Sequence, residues 1–250
     1  MAGDPVVLGV LRTVVSGLAG QTGRARLDIV DAGGGTGGFA VPLASLGHRV
    51  TVVDPSPNSL AAAQRRAAEQ DVALRAIQGD AADLALVAGE QSADLVLCHS
   101  VLEYVDSPSA AMAAIATVLR PGGAVSVLTA SAVAAVIHRA LAGRFDEARR
   151  LLTGIGNAAG NGSGPAAGGP GRPGAGPRRF TLAAVTGLIE QAGLRPGPAQ
   201  GVRVFADLVP RVVADADPGA EQALQGLELA VSAHPAFHDF ASQFHVLGYR

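Results

Sequence analysis

The stretch "IVDAGGGTGGFA", residues 29–40, holds five glycines within the six positions 33–38, directly after a strand-like run at residues 26–32. Glycine permits a tight turn and lets the backbone approach a ligand closely, with the amino terminus of the following helix nearby. Two spacings fit this loop: G-x-G-x-x-G at Gly33, Gly35 and Gly38, and G-x-G-x-G at Gly33, Gly35 and Gly37. The loop therefore predicts a ligand held against bare backbone, but it leaves the kind of ligand open.

Strand-like and helix-like segments alternate along the chain on both sides of this glycine loop. Apolar and β-branched runs predict strands at residues 26–32, 48–54, 73–80, 93–101, 124–130, 201–209 and 244–250. Periodic runs predict helices at residues 37–46, 56–70, 107–119, 131–142, 181–194 and 219–233, after a short helix-like amino terminus. The alternation predicts an α/β fold in which helices cover both faces of a parallel sheet.

Composition predicts one domain that carries an insertion. A chain of 250 residues can bury a sizeable core, so we expect a single domain over residues 1–250. Residues 152–177 are rich in glycine and proline, lack an apolar period and carry one charge, Arg172, which is typical of a flexible surface insertion. Residues 178–250 are expected to supply the elements on the substrate side.

Charge and the metal-binding residue types narrow the classes of protein. The formal net charge of −2 gives no whole-protein field that attracts nucleic acid, so RNA binding would need a local patch. The one cysteine, Cys98, excludes an intramolecular disulfide and a cysteine-rich zinc site. His234, His238 and His245 lack metal-ligand spacing, so we expect no metal site.

Hydropathy gives no sign of a membrane or of export. Residues 1–15 lack the basic region and the cleavage pattern of a signal peptide. The longest uncharged apolar stretch, residues 122–137, is shorter than the roughly 20 apolar residues of a membrane-spanning helix. We therefore expect a cytoplasmic protein without a membrane partner.

Two acids near the glycine loop bear on the choice of ligand. Asp54 ends the second predicted strand about 20 residues after the loop, where a carboxylate accepts both hydroxyls of a ribose. That position suits a nicotinamide dinucleotide and S-adenosylmethionine equally. Asp31 lies two residues before Gly33, where it suits a cationic amino group and would repel a pyrophosphate. The pair favours S-adenosylmethionine, with a nicotinamide-dependent oxidoreductase as the alternative.

Four motifs across residues 27–130 resemble the class I S-adenosylmethionine-dependent methyltransferases. They are "VDAGGGTG", "VTVVDPS", "GDAADL" and the pair "ADLVLCHSVLEYV" and "LRPGGAVSV". The resemblance implies a Rossmann-like seven-stranded sheet with helices on both faces, and S-adenosylmethionine as the cofactor. It implies cofactor contacts from Asp31, Gly33, Gly35 and Gly37 at the methionine end, Asp54 with Pro55 at the ribose, Asp80 and Ala81 at the adenine, and His99 beside the transferred methyl group.

Further segments resemble the bacterial tRNA methyltransferases that esterify 5-carboxymethoxyuridine at the wobble position. They are "CHSVLEYVDSP", "TVLRPGGAVSVL", "AGRFDEA", "GVRVFADLV" and "HVLGYR". The resemblance implies a carboxylate acceptor on a modified uridine, with tRNA bound through Arg172, Arg178 and Arg179. A methyltransferase of small molecules that binds no RNA is the alternative, and a cofactor-binding module without catalysis is a further one.

Three residues are candidates for action on the acceptor. Arg203 in "GVRVF" is expected to hold the acceptor carboxylate, because a guanidinium binds a carboxylate through two nitrogens; a surface charge at the edge of a strand is the alternative. His99 is expected at the mouth of the site, unless it is a hydrogen-bonded histidine of the wall. Tyr104 is a candidate lid that stacks on a base, with packing in the core as the alternative.

Overall fold

The computed structural model describes residues 3–158, 177–210, 212 and 219–250. Contacts within the chain divide it into two compact units. The first comprises the residues up to Val127 together with Leu188–Gly197 and Leu247–Arg250, and the second comprises Leu128–Gly187 and Pro198–Val246. The glycine loop lies in the first unit, and the segment that contains Arg203 lies in the second.

Seven strands form a single sheet. They are β1 (Asp28–Ala32), β2 (Arg49–Asp54), β3 (Arg75–Gln78), β4 (Ala93–His99), β5 (Leu119–Ala130), β6 (Arg195–Val202) and β7 (Gln243–Tyr249). Their order across the sheet is β3-β2-β1-β4-β5-β7-β6. The predicted α/β class with a Rossmann-like seven-stranded sheet is confirmed.

The sheet is mixed, which corrects the expectation of a wholly parallel one. β1 is parallel to β2 and β4, and β2 is parallel to β3. Near the start of β5, the Gly122 amide donates to the carbonyl of Arg250, just after β7 (3.2 Å). Just after β5, the Ser131 amide donates to Ser242, just before β7 (2.9 Å), so the two strands run in opposite directions. Apolar alternation is the same in either direction, so the sequence pattern could not reveal this.

Ten helices connect the strands within the described residues. They are α1 (Pro5–Thr22), α2 (Ala40–Ser45), α3 (Pro57–Glu69), α4 (Leu84–Ala88), α5 (Pro108–Val118), α6 (Ala132–Leu141), α7 (Phe145–Ala158), α8 (Leu182–Gln191), α9 (Ala220–Ser232) and α10 (Pro235–His238). Side-chain caps fix several starts: Ser56, Ser107 and Ser131 each accept an amide hydrogen bond from three residues further on. Within the described residues, no helix is both long and apolar enough to cross a membrane.

The core of the sheet centres on β4, in which all seven residues are buried. Leu95, Leu97 and Cys98 have no exposed surface. Burial raises the pKa of the Cys98 thiol far above its ordinary value. Cys98 therefore packs as a small apolar residue, as expected from its surroundings in the sequence.

The predicted strand at residues 201–209 is wrong beyond Val202, where β6 ends and a series of turns begins. The buried carboxylate of Glu228, on α9, accepts three successive backbone amides. The donors are Val204 (2.9 Å), Phe205 (2.8 Å) and Ala206 (2.7 Å). Successive amides of a strand point in alternate directions, so three amides that converge on one carboxylate are incompatible with a strand.

Two other boundaries differ from the sequence expectation. The segment "RPGG", residues 120–123, is expected to follow the helix as a stop, yet it forms part of β5. A Cβ atom at Gly123 would lie 3.0 Å from the Asp94 carbonyl oxygen, so glycine lets the strand pass close to its neighbour. Residues 152–158, expected in the flexible insertion, continue α7, because Ala148, Leu151 and Ile155 extend its less exposed stripe. Residues 159–176, including Arg172, lie outside the described part of the chain.

Candidate cofactor site

A cleft of about 310 Å³ lies at the carboxyl ends of β1 to β4 in the first unit, and is termed the carboxyl-edge cleft. Its lining is Gly33, Asp54, Pro55, Asp80, Ala81, Ser100, Val101, Tyr104 and Val105. The carboxyl ends of parallel strands meet at one edge, which is where open α/β sheets bind their ligands. Six of the residues predicted from the sequence are thus brought together; they are Gly33, Asp54, Pro55, Asp80, Ala81 and Tyr104.

The glycine loop takes conformations that other residues rarely adopt. The φ angle is +68° at Gly33, +54° at Gly35 and +76° at Gly37. These are left-handed values, which cost a residue with a Cβ atom free energy. At Gly33 a Cβ atom would also collide with Val101. The spacing G-x-G-x-G therefore marks the positions at which the turn needs glycine.

Gly34, which the sequence reasoning did not single out, makes room for Asp31. A Cβ atom at Gly34 would lie 2.6 Å from the carboxyl carbon of Asp31 and 2.9 Å from Val52. Both the Asp31 carboxyl and the Val52 side chain are buried, so neither can move away without disturbing the packing around the sheet. The sequence did carry a signal for Gly34. The spacing G-x-G-x-G needs glycine at positions 33 and 35 only, so a third glycine between them indicates a separate requirement for space.

Asp31 is only 2% exposed and lies beneath this loop. Burial raises the pKa of Asp31 to about 7, and the nearby charge of Asp54 adds to the rise. A cationic group placed near Asp31 would restore its ionised form, which fits the predicted contact with an amino group. Asp31 does not belong to the lining of the carboxyl-edge cleft as it stands, so that contact stays a prediction.

Asp54 is 8% exposed and held in one orientation by two backbone amides. Its Oδ2 atom accepts from Gly35 and its Oδ1 atom accepts from Ser56, both at 2.9 Å. Each carboxylate oxygen has a second lone pair, so both can still accept from a ligand. The arrangement suits two adjacent hydroxyl groups, as on a ribose.

The rim of the cleft combines an acid, a strained residue and an aromatic ring. Asp80 accepts the Ala82 amide at 2.9 Å and so begins a short 3₁₀ turn at Ala81–Asp83. Ser100, which the sequence reasoning missed, has φ of +56°, a costly conformation that tends to mark functional turns. Tyr104 is 62% exposed at the rim, which excludes packing in the core and is compatible with a lid.

His99 lies in the wall next to the cleft and not among its lining residues. Its Nε2 atom is 2.7 Å from the Ser126 hydroxyl, and its ring meets Phe39 edge to face at 4.5 Å. These contacts match the alternative of a hydrogen-bonded wall histidine. A direct role for His99 beside the transferred methyl group stays a prediction.

Arg203 lies in the second unit, where its guanidinium holds a carboxylate of the protein. Its Nε atom is 3.0 and 2.9 Å from the two oxygens of Asp207, and its Nη2 atom also contacts Asp207. The pKa of Asp207 lies below its ordinary value. Burial by itself would raise this pKa, but the hydrogen bonds from Arg203 and Ser242 and the positive charge nearby outweigh burial. Arg203 has φ of +57° and directly precedes the three amides that Glu228 accepts.

The predicted RNA-binding arginines are only partly described. Arg178 and Arg179 are half-buried and lie directly before Phe180, which forms a bridge with Ser131. Arg172 lies outside the described residues. A phosphate-binding role for these arginines stays a prediction.

The comparisons with known proteins concern the segment that contains this cleft. Residues 30–127 match the methyltransferase domain family. The matched segment, about two fifths of the chain, contains the carboxyl-edge cleft and carries a methyltransferase domain of the class I S-adenosylmethionine-dependent type. The cofactor is therefore S-adenosylmethionine, and not the nicotinamide dinucleotide that the loop alone left open.

Two curated relatives are methyltransferases whose names indicate different substrates. The chain is 35% identical over 128 residues to the tRNA 5-carboxymethoxyuridine methyltransferase of Escherichia coli K12, which covers 50% of this chain and 49% of that one. It is 35% identical over 126 residues to the ubiquinone biosynthesis O-methyltransferase of Aeromonas salmonicida, which covers 50% of each. The chain thus spans about half the length of the curated relatives it matches.

Solved structures share the fold at low sequence identity. A methyltransferase of Methanosarcina mazei has a TM-score of 0.63 at 15% identity, covering 100% of this chain and 99% of that one. Magnesium protoporphyrin IX methyltransferase from Synechocystis PCC 6803, with bound S-adenosylhomocysteine, has a TM-score of 0.58 at 17% identity, covering 97% and 83%.

Proposed function

We propose that the protein is an enzyme that transfers the methyl group of S-adenosylmethionine to the carboxylate of 5-carboxymethoxyuridine in tRNA and so forms a methyl ester. The observation that carries the methyl transfer is the carboxyl-edge cleft, in which two backbone amides fix Asp54. The acceptor is supported by the 35% identity to the E. coli tRNA enzyme and by the segments that resemble its family.

The chemistry asks the protein mainly for positioning. S-adenosylmethionine supplies an electrophilic methyl group on a sulfonium. A carboxylic acid with a pKa of about 4 is ionised at neutral pH, so the acceptor needs no general base. The chain's task is to hold both partners in line and to exclude water. Asp54 and Asp31 serve the cofactor end in this proposal.

Arg203 is assigned to the acceptor carboxylate. Its contact with Asp207 supports the assignment, because Nε and Nη2 of this guanidinium already hold a carboxylate. An acceptor carboxylate would replace Asp207 at these nitrogens. Arg178 and Arg179 are assigned to phosphates of the tRNA.

Incubation with radiolabelled S-adenosylmethionine and two tRNA preparations tests the proposal. We expect label in tRNA that contains 5-carboxymethoxyuridine and none in tRNA that lacks it. Arg203→Gln should lower turnover while the affinity for S-adenosylhomocysteine stays unchanged, and Arg12→Gln, an exposed arginine of α1, serves as the matched control. Equal, negligible labelling of both tRNA preparations would contradict the assignment to tRNA.

A second candidate is an O-methyltransferase of small molecules, which the identity to the ubiquinone biosynthesis enzymes favours. It predicts tight binding of S-adenosylhomocysteine without labelling of either tRNA. Labelling of a panel of small carboxylic acids and phenols, lost in Asp54→Ala, would then support this candidate.

A further inference from the structure

A second cavity, of about 520 Å³, lies at the amino ends of β1, β2 and β3 in the first unit. Four arginines and one acid take part in its lining: Arg26, Arg49, Arg75, Arg120 and Asp28. It is termed the arginine cavity, and among the described residues it shares none with the carboxyl-edge cleft. Six strand residues at about 3.3 Å each separate the two ends of β2, so the cavities lie at opposite edges of the sheet.

The register of the sheet places two of the arginines on one face. Arg49 in β2 is paired with Asp28 in β1, and Arg75 in β3 is paired with Thr51 in β2. Paired residues of parallel strands project to the same face, as do residues two apart in one strand. Arg49, Thr51 and Arg75 therefore project together into the arginine cavity.

Two aspartates account for the ion pairs around the cavity. Asp28 binds Arg49 through Nε and Nη2 at 2.5 and 2.9 Å, and binds Arg120 at 2.9 Å. The hydrogen bond from Arg49 is the main reason that the pKa of Asp28 lies below its ordinary value. Asp94 binds Arg120 at 3.0 Å and Arg24 at 3.1 Å. These pairs give the cavity a fixed wall.

Arg26 and Arg75 are left over from these pairs. Within the described part of the chain neither forms an ion pair with an acid, and both are exposed. The cavity thus holds a surplus of positive charge, although the whole chain has a formal net charge of −2. A local surplus of this kind attracts an anion.

We propose that the arginine cavity binds the phosphate of a nucleotide, with Arg26 and Arg75 as its ligands. A guanidinium matches phosphate through two parallel hydrogen bonds and is less strongly hydrated than an ammonium group. Ala73 and Leu74 in the lining supply apolar surface for the body of the ligand, and the volume is that of a small-molecule site. The nucleotide is either free or part of an RNA chain, since both offer this chemistry.

Calorimetric titration with uridine 5′-monophosphate and with a short oligouridylate tests the proposal, with saturating S-adenosylhomocysteine present to block the carboxyl-edge cleft. We expect saturable binding of at least one probe. The double variant Arg26→Gln/Arg75→Gln should weaken it about tenfold or more. Arg12→Gln, an exposed arginine outside the cavity, should leave it unchanged.

The two probes separate the sources of the ligand: binding of the monophosphate indicates a free nucleotide, and binding of the oligomer alone indicates an RNA chain. The proposal is overturned if neither probe binds. It is also overturned if the double variant binds as tightly as the unaltered protein, or if the double variant and Arg12→Gln lose affinity to the same extent. The affinity for S-adenosylhomocysteine, measured separately, should be the same in all three proteins. A failure of the proposed tRNA methylation would therefore leave this result intact.

Discussion

The glycine loop after β1 and the turn after β6 gather backbone amides on a buried carboxylate in two different ways. In the first, Asp54 takes the amides of Gly35 and Ser56, and glycines adopt the left-handed conformations. In the second, Glu228 takes three successive amides, and Arg203, which has a side chain, adopts the left-handed conformation. The carboxylate of Asp54 borders the carboxyl-edge cleft, whereas the carboxylate of Glu228 is buried and accepts three amides of the protein itself. The glycine loop thus leaves space for a ligand beside its carboxylate, whereas the turn after β6 holds the side chain of Arg203 in place.

The largest expected effect sharpens this contrast at Asp31, beneath the glycine loop. The pKa of Asp31 is about 7 in the folded state against 3.8 as the ordinary value, so the folded protein keeps a proton that the unfolded chain releases. The free energy of unfolding of the cofactor-free protein should therefore fall as pH rises through this window, by up to roughly 4 kcal/mol. Asp31→Asn should remove the fall. Urea denaturation at a series of pH values measures it, and identical slopes for both proteins would contradict the prediction.

The next effect tests whether the turn after β6 depends on its carboxylate. Glu228→Ala leaves three amides without their acceptor and should lower the free energy of unfolding by about 3 kcal/mol. Glu221→Ala, at an exposed position of the same helix, is the matched control and should cost about 0.5 kcal/mol or less. Thermal denaturation gives both values. Similar losses in the two variants would mean that the convergent amides do not stabilise the turn.

Gly34→Ala applies a comparable test to the glycine loop. The added methyl group would meet the Asp31 carboxyl at 2.6 Å, so we expect a loss of about 2 kcal/mol in the free energy of unfolding, together with weaker cofactor binding. At Gly20 in α1, a Cβ atom meets nothing within 4 Å. Gly20→Ala should therefore stabilise the protein slightly through its helix propensity. If both variants behave alike, space at Gly34 is not what the loop needs.

The smallest effect concerns ligand affinity rather than folding. Asp54→Asn keeps one oxygen acceptor and removes the charge, so the affinity for S-adenosylhomocysteine should fall about tenfold, or about 1.4 kcal/mol. Asp71→Asn changes an exposed acid with φ of +53°, which asparagine tolerates, and should have no effect. Isothermal titration calorimetry measures both. An unchanged affinity in Asp54→Asn would show that the ribose is bound elsewhere.

The sequence predicted what depends on neighbouring residues and missed what depends on distant ones. The left-handed turns at Gly33, Gly35 and Gly37 follow from a local rule, and so does the position of Asp54 at the end of β2. The amides after Arg203 donate to Glu228 from a later helix, and no local pattern connects the two. The direction of β7 and the cluster of arginines at the amino ends of β1 to β3 likewise follow from pairing across the sheet.

The burial of Cys98 in the middle strand has a practical consequence. A thiol must ionise and meet its reagent before it can be alkylated, and the sheet denies both to this residue while β4 stays in place. Since the chain has one cysteine, the rate at which a maleimide labels the native protein measures how often local unfolding exposes β4. The labelling rate of Cys98 thus reports local opening of the sheet. Bound cofactor, if it stabilises the carboxyl ends of the strands, should lower this rate.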